Sequence, residues 1–135
     1  DMGDFVVAQG AVTLPEEVSY AIVGVPYQGY LESLPISFEA RGIGAYGQGR
    51  RKNVNSVWLR LINSGGLWVG QNDTDLREIQ PTLPEELGDL PLLRTGLTEV
   101  GLDPEWKDDT TVHIVANDPF PVKVLSMAFD MEVSE

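Results

Sequence analysis

The side chains that could carry out acid–base or metal chemistry are few in this chain of 135 residues, which has one histidine and no cysteine. His113 lies in a β-branched run, so a partner for proton transfer would have to come from a neighbouring strand. Its spacing assigns no serine or aspartate to it. A single histidine without cysteine also argues against a zinc site. We therefore predict no enzyme activity, no metal and no cofactor; a cleft in which His113 meets a hydroxyl and a carboxylate would contradict this.

Acidic residues occur in close pairs, at positions 16–17, 73 and 75, 85–86 and 108–109. Hydrolysis of sugars needs two carboxylates that face each other across a cleft, which adjacency in sequence does not establish. The oxygen-rich loop at residues 72–75 lacks the glycine and the distal glutamate of the twelve-residue calcium loop. We interpret these pairs as solvated turns.

Residues 42–47 read Gly-Ile-Gly-Ala-Tyr-Gly and match the G-x-G-x-x-G pattern of dinucleotide-binding proteins. That motif functions where the glycines open a helix, with an acidic residue about 20 positions further on. Here a basic triplet and a β-branched strand follow, and positions 60–72 contain no acidic residue. The sequence favours a hairpin loop over a nucleotide site.

Positive charge is concentrated in one interval. The chain has 9 basic and 21 acidic residues, and no acidic residue lies between Glu39 and Asp73. That interval holds five of the basic residues, so the rest of the chain carries 4 − 21 = −17. Guanidinium groups bind carboxylates and phosphates bidentately, so the interval suits a subunit or partner interface. We predict that this interface includes Arg41, Tyr46, Arg50, Arg51, Lys52 and Trp68; the alternative is a solvated turn beside a strand pair that excludes carboxylates.

The overall composition limits the class of protein. A net charge of −12 argues against a domain that coats nucleic acid. No apolar run approaches the roughly 20 residues that span a bilayer, so no membrane insertion is expected. The length suits one domain over residues 1–135. Because the chain begins at Asp1, we expect it to be an excised fragment of a longer protein.

Short β-type patterns separated by glycine and proline predict an all-β fold. Eight to ten short strands with little helix indicate an antiparallel β-sandwich, with a β-barrel as the alternative. Asn63, Ser64, Gly65 and Gly66 form a turn signal that predicts a hairpin between the strands on either side. Residues 83–109 are predicted to be mostly an acidic, proline-rich connection. The segments concerned are an edge hairpin or arm at 5–14, a buried central strand at 20–25 followed by a turn at 28–30, a half-buried strand at 34–40, and strands at 54–62, 67–69, 76–79, 97–102, 110–116 and 122–131.

Four ordered blocks resemble the C-terminal region of the tail nozzle or hub proteins of short-tailed bacteriophages, also called tail tubular or stabilisation proteins. The blocks are residues 23–27, 47–54, 59–70 and 117–125, and the likeness spans roughly residues 14–133. None of the blocks is a catalytic signature. The family pattern gives no guide for the acidic segment at 83–109.

This resemblance implies a structural virion component, made in the bacterial host cytoplasm and located in the virion tail. It implies assembly of the full-length protein as a ring below the head-to-tail adaptor, with contacts to fibres or spikes. The ring would extend the tube through which DNA passes without sequence-specific binding. A second hypothesis is a carbohydrate- or receptor-binding β-sandwich, in which Trp68, Trp106 or Tyr46 stacks on a sugar ring.

Overall fold

The computed structural model of the chain describes residues 3–19, 21, 23–39, 47–79 and 92–134. Within these ranges it contains no α-helix, and so none that could cross a membrane. The strands form two antiparallel sheets, with the orders β1-β6-β3-β4 and β5-β2-β7. The predicted all-β sandwich is confirmed. The described residues contain seven strands, against the eight to ten predicted for the whole chain: β1 (Gly29–Glu32), β2 (Lys52–Ser64), β3 (Leu67–Gly70), β4 (Arg77–Ile79), β5 (Arg94–Gly101), β6 (His113–Ala116) and β7 (Val124–Val133).

The core lies between the two sheets and follows from the alternation of side chains along each strand. In β2, Val57, Leu59 and Leu61 are buried, whereas Trp58 and Arg60 between them face solvent. Successive side chains of a strand point to opposite faces, so a period of two places one set inside. The four-stranded sheet contributes its own inner set to the same core, including residues 67, 69, 79, 114 and 116.

A β-bulge in β2 explains a departure from that alternation. Val54 and Val57 are both fully buried although they are three positions apart, an odd spacing that would place them on opposite faces of a regular strand. Against β7, Val54 pairs with Met131 and Ser56 with Asp130, so the β2 strand has one extra residue at this point. An extra residue shifts the side-chain phase by one. The bulge therefore lets both ends of a thirteen-residue strand face the core.

The predicted hairpin between β2 and β3 is wrong. β2 is the central strand of the three-stranded sheet, whereas β3 pairs with β4 and β6 in the other sheet. Gly65 and Gly66 are both buried and carry the chain from one sheet to the other. Gly66 has φ of 62°, a left-handed conformation that glycine adopts without steric cost. A glycine pair thus marks a tight reversal without specifying which strands it joins.

Three N-terminal predictions need correction. No strand occupies the described residues between 20 and 25, and Val23 and Val25 are exposed rather than central. Residues 34–39 also form no strand, although Ile36 reaches the core. β1 instead occupies Gly29–Glu32, where a turn was predicted. Apolar β-branched residues favour extended backbone, but a strand also needs a partner edge, which the local sequence does not specify.

The predictions for the second half of the chain are confirmed with small changes in their bounds. β4, β5, β6 and β7 all overlap the predicted strands. A bend at residues 118–120 precedes β7. The barrel alternative is wrong, because the described strands form two open sheets and no closed ring. Residues 83–91 of the predicted connection lie outside the described residues.

Candidate functional site

The basic triplet lies where the loop before β2 enters the strand, and its third member is internal. Lys52 is 2% exposed. Its Nζ donates to the carbonyls of Arg50 at 3.2 Å and Asp108 at 3.1 Å. Its backbone exchanges two hydrogen bonds with Lys107, and the Thr110 hydroxyl donates to its carbonyl. Lys52 therefore holds the 107–110 loop against β2, and little of its side chain is exposed to a partner.

The two arginines remain closer to the surface. Arg51 is exposed and donates through Nη2 to the carbonyl of Trp106 at 2.9 Å. Arg50 is half-buried and donates through Nη1 to the carbonyl of Ser134 at 3.2 Å. Each guanidinium group has further donors, so it can bind a carboxylate or phosphate beyond these contacts. Their role at an interface stays a prediction.

The remaining predicted interface residues do not join the triplet in the described part of the chain. Arg41 and Tyr46 lie outside the described residues, as does most of the glycine-rich segment at 42–47. Trp68 lies on β3, in the sheet that does not contain Lys52. Its neighbours Leu67 and Val69 belong to the core, which places the Trp68 side chain on the outer face of the four-stranded sheet.

His113 has partners that the sequence did not reveal. Its Nδ1 lies 2.6 Å from the Tyr30 hydroxyl, and its Nε2 lies 3.1 Å from the Thr111 hydroxyl. The Glu32 carboxylate lies 3.7 Å from Nε2, across the β1–β6 pair. These partners come from the neighbouring strand and from two residues upstream. Tyr30 and Glu32 are two residues apart and therefore lie on the same face of a strand, which could have indicated these partners. The prediction of a turn at 28–30 in place of a strand hid this signal.

The hydrogen bonds of this cluster favour a neutral phenol. Loss of contact with water, then the nearby Glu32 carboxylate, raise the pKa of Tyr30. The protonated hydroxyl donates to the Glu32 carboxylate at 3.4 Å and also lies 2.6 Å from Nδ1 of His113. The arrangement orders side chains on the sheet surface, and Tyr30 is 55% exposed rather than enclosed in a cleft.

The same outer face carries an aromatic row. Tyr30 pairs with Val115, Val115 pairs with Trp68, and Trp68 pairs with Glu78. Paired residues in antiparallel strands point to the same face. Val115 is buried but lies outside the core cluster, as expected of a side chain between two aromatic neighbours on the outer face. The row and the His113 cluster form one surface with aromatic, imidazole and carboxylate groups.

The acidic turn at residues 72–75 is stabilised from within. Asn72 Oδ1 accepts from the Thr74 backbone at 3.0 Å, the Thr74 hydroxyl at 2.9 Å and the Asp75 backbone at 2.6 Å. Such an Asx turn uses the oxygen that a cation would need. Among the described residues, no group of three or more histidine, aspartate or glutamate side chains is placed to hold a metal.

An ion pair fixes the approach to β4. Arg77 Nη2 lies 2.5 Å from Asp103 Oδ2. The hydrogen bond from Arg77 holds the pKa of Asp103 below its usual range, and the one from Lys107 does the same for Glu105. These carboxylates serve the packing of the 103–107 loop.

Two open cavities lie in the described part of the chain, and the second includes Arg77 and Glu78 in its lining. One of about 420 Å³ is lined by Asp4, Tyr27, Gln28, Asn117 and Asp118 among others. The second, of about 310 Å³, lies between β4 and β5. Neither contains the predicted interface residues or His113.

Comparison of the chain with protein families and with curated proteins finds no match.

Proposed function

We propose that this chain is a structural assembly module of the tail nozzle or hub of a short-tailed bacteriophage, located in the virion tail. It acts by fitting against neighbouring subunits and catalyses no reaction. The resemblance of four sequence blocks supports the family, and the two-sheet sandwich is a suitable scaffold for such a role. The assignment to a phage tail depends on those blocks, and the assembly role depends on the surface described next.

The observation that carries the assembly role is the exposure of apolar side chains in the N-terminal region. Val6 is 90% exposed and Val7 64% exposed, and Val23 and Val25 are 75% and 86% exposed. No described strand includes any of them. A globular protein that acts alone seldom presents so many large apolar side chains in one segment. Burial against another subunit would remove them from water.

The proposed partners follow from the tail setting. The full-length protein forms a homo-oligomeric ring, which contacts the adaptor on one side and fibres or spikes on another. DNA passes through the ring without sequence-specific binding. A chain of net charge −12 suits that passage, because a negative wall repels the phosphate backbone rather than holding it.

The assembly role is tested on the parent protein by mass determination in solution together with negative-stain imaging. We expect rings, and association with other virion proteins. A protein that stays monomeric at high concentration and joins no virion component would refute the proposal.

Charge reversal tests the contribution of the basic junction. Arg50→Glu combined with Arg51→Glu should fold but dock poorly, because within the described residues each arginine side chain donates a single hydrogen bond, to a backbone carbonyl. A matched control reverses two charges elsewhere, at Arg60 and Lys123, for the same change in net charge. Unchanged incorporation of the Arg50/Arg51 variant into particles would remove the junction from the interface. Loss in both variants would indicate a general charge effect.

The aromatic row favours a second candidate, a carbohydrate- or receptor-binding module. Trp68 and Tyr30 lie on one sheet face beside Glu32 and His113, and flat aromatic faces stack on sugar rings. Trp106 is exposed on a loop and belongs to none of the strands that carry the row. Titration of the chain with oligosaccharides tests the idea. Trp68→Ala should abolish saturable binding, whereas Trp58→Ala on the other sheet should not.

A further inference from the structure

Among the described strands, the last one has a long unpaired edge. β7 has ten residues and pairs only with β2 in the described part of the chain. An unpaired edge exposes a row of backbone N–H and C=O groups that can bind another strand. Proteins usually protect such edges with lysine, proline or a covering segment. β7 contains neither residue, and its only charged side chains are Asp130 and Glu132.

The core is incompletely covered along this edge. Met127, Phe129 and Met131 of β7 face the core and pack against it, but each remains only partly buried. Their β2 neighbours Val57 and Leu59 are fully buried. A strand added beyond β7 would therefore gain backbone hydrogen bonds and would also cover three large apolar side chains.

The N-terminal hairpin, residues 5–14, consists of two short arms that pair only with each other in the described part of the chain. Ala8 and Ala11 exchange two backbone hydrogen bonds of 3.0 Å. Between them Gln9 and Gly10 have φ of 52° and 79°, as in a type I′ turn. No other described strand pairs with the hairpin. An isolated two-stranded hairpin is at best marginally stable in water, so it requires a sheet to join.

The faces and charges of the two elements match. Continuing the Ala8–Ala11 register places Phe5, Val7, Val12 and Leu14 on one face of the hairpin. This face could extend the apolar inner face of the three-stranded sheet. Residues 5–14 also contain no charged side chain, so they bring no like charge to the acidic edge.

We propose that the N-terminal hairpin of one copy of this chain adds to the β7 edge of the next copy, extending its three-stranded sheet. The proposal rests on the proposed assembly role and names the elements that would mediate it. The contact is heterologous, joining different surfaces of the two copies, and such contacts generate closed rings when the rotation between copies closes and open filaments when it does not. Pairing of β7 with β7 of a second copy would instead be two-fold and would end at a dimer.

Cysteine pairing tests the contact directly, because the natural chain has no cysteine. A Val6→Cys protein is mixed with Ser126→Cys, Ala128→Cys or Asp130→Cys proteins, whose substitutions lie on the outer face of β7 at two-residue intervals. We expect a mixed disulfide with at least one of the three, because adjacent strands bring paired side chains within disulfide range. Val6→Cys mixed with Leu97→Cys, on the opposite edge strand, is the negative control.

Two cross-linking results would overturn the proposal. Preferential linkage of the β7 cysteine proteins to themselves would indicate pairing of β7 with β7. A disulfide that forms only inside a monomer carrying both Val6→Cys and Ala128→Cys would show that the hairpin covers its own β7.

Matched aspartate variants supply a second test, which does not depend on disulfide geometry. Val7→Asp places a charge on the apolar face of the hairpin, and Val6→Asp places one on the opposite face. Both valines are exposed, so both variants should fold. Val7→Asp should weaken self-association by at least tenfold, about the effect of losing one buried valine, and Val6→Asp should weaken it less. Assembly unaffected by Val7→Asp would refute hairpin exchange and leave the assembly role standing; a wild-type chain and parent protein that never associate would refute both.

Discussion

The substitution Gly66→Ala probes the point where the chain passes between the two sheets. Gly66 has φ of 62°, and a Cβ there would lie 2.6 Å from Cβ of Asp118. Gly49 provides a matched control, because its φ is 73° but nothing lies within 4 Å of the added Cβ. The two glycines thus share a backbone conformation and differ in their surroundings.

The expected loss of stability follows from two costs. A left-handed conformation costs alanine about 1–2 kcal/mol, and reduced freedom of the unfolded chain returns about 0.4–1 kcal/mol. Gly49→Ala should therefore lower the free energy of unfolding by about 1 kcal/mol. At Gly66 the overlap with Asp118 forces a shift in a packed region, which adds about 1–3 kcal/mol. Gly66→Ala should lower the free energy of unfolding by about 2–4 kcal/mol.

Urea unfolding followed by tryptophan fluorescence measures both variants. Asp118→Gly removes the nearest atom, so in that background Gly66→Ala should cost only as much as Gly49→Ala. The reasoning is refuted if the two alanine variants lose equal stability, or if Gly66→Ala costs the same in both backgrounds. Either result would mean that the approach of Asp118 does not constrain the crossing.

Three further predictions concern groups that the fold uses internally. Lys52→Ala should lower the free energy of unfolding by about 2–5 kcal/mol, because it empties the buried space that the alkyl stem fills. Lys52→Met should lower the free energy of unfolding by less than half as much in urea titration. Equal losses of stability in the two variants would contradict this. Arg77 lowers the pKa of Asp103, so this pair stabilises the fold above the ordinary aspartate pKa and the contribution is lost as pH falls through the lowered value. The stability difference between wild type and Asp103→Asn should therefore shrink on acidification, and a pH-independent difference in thermal midpoint would contradict it. Gly70→Ala should destabilise the chain more than Gly66→Ala, because the Cβ added at position 70 would overlap the backbone carbonyl of Asp75, which cannot rotate away. A smaller loss of stability than for Gly66→Ala in urea titration would show that the backbone of the turn after β3 can shift.

The sequence by itself determined the class of fold and the location of most strands after residue 50. Alternation of apolar and polar side chains is a local signal, and β7 and the part of β2 from Val57 to Leu61 follow it closely. The sequence also predicted the hairpin or arm at residues 5–14, because Gln9 and Gly10 separate two apolar runs. These features depend on neighbours in the chain, which the sequence shows directly.

Only the tertiary structure decided which strands pair and which polar groups meet. Gly65 and Gly66 indicate a chain reversal, whether the chain stays in one sheet or crosses to the other. The sheet that β3 joins depends on the strand edges of β4 and β6 with which it pairs. Lys52 reads as a surface charge until the 107–110 loop covers it, and His113 lacks partners until β1 pairs with β6. Strand pairing and burial are set by contacts between distant segments, whose energies no local pattern records.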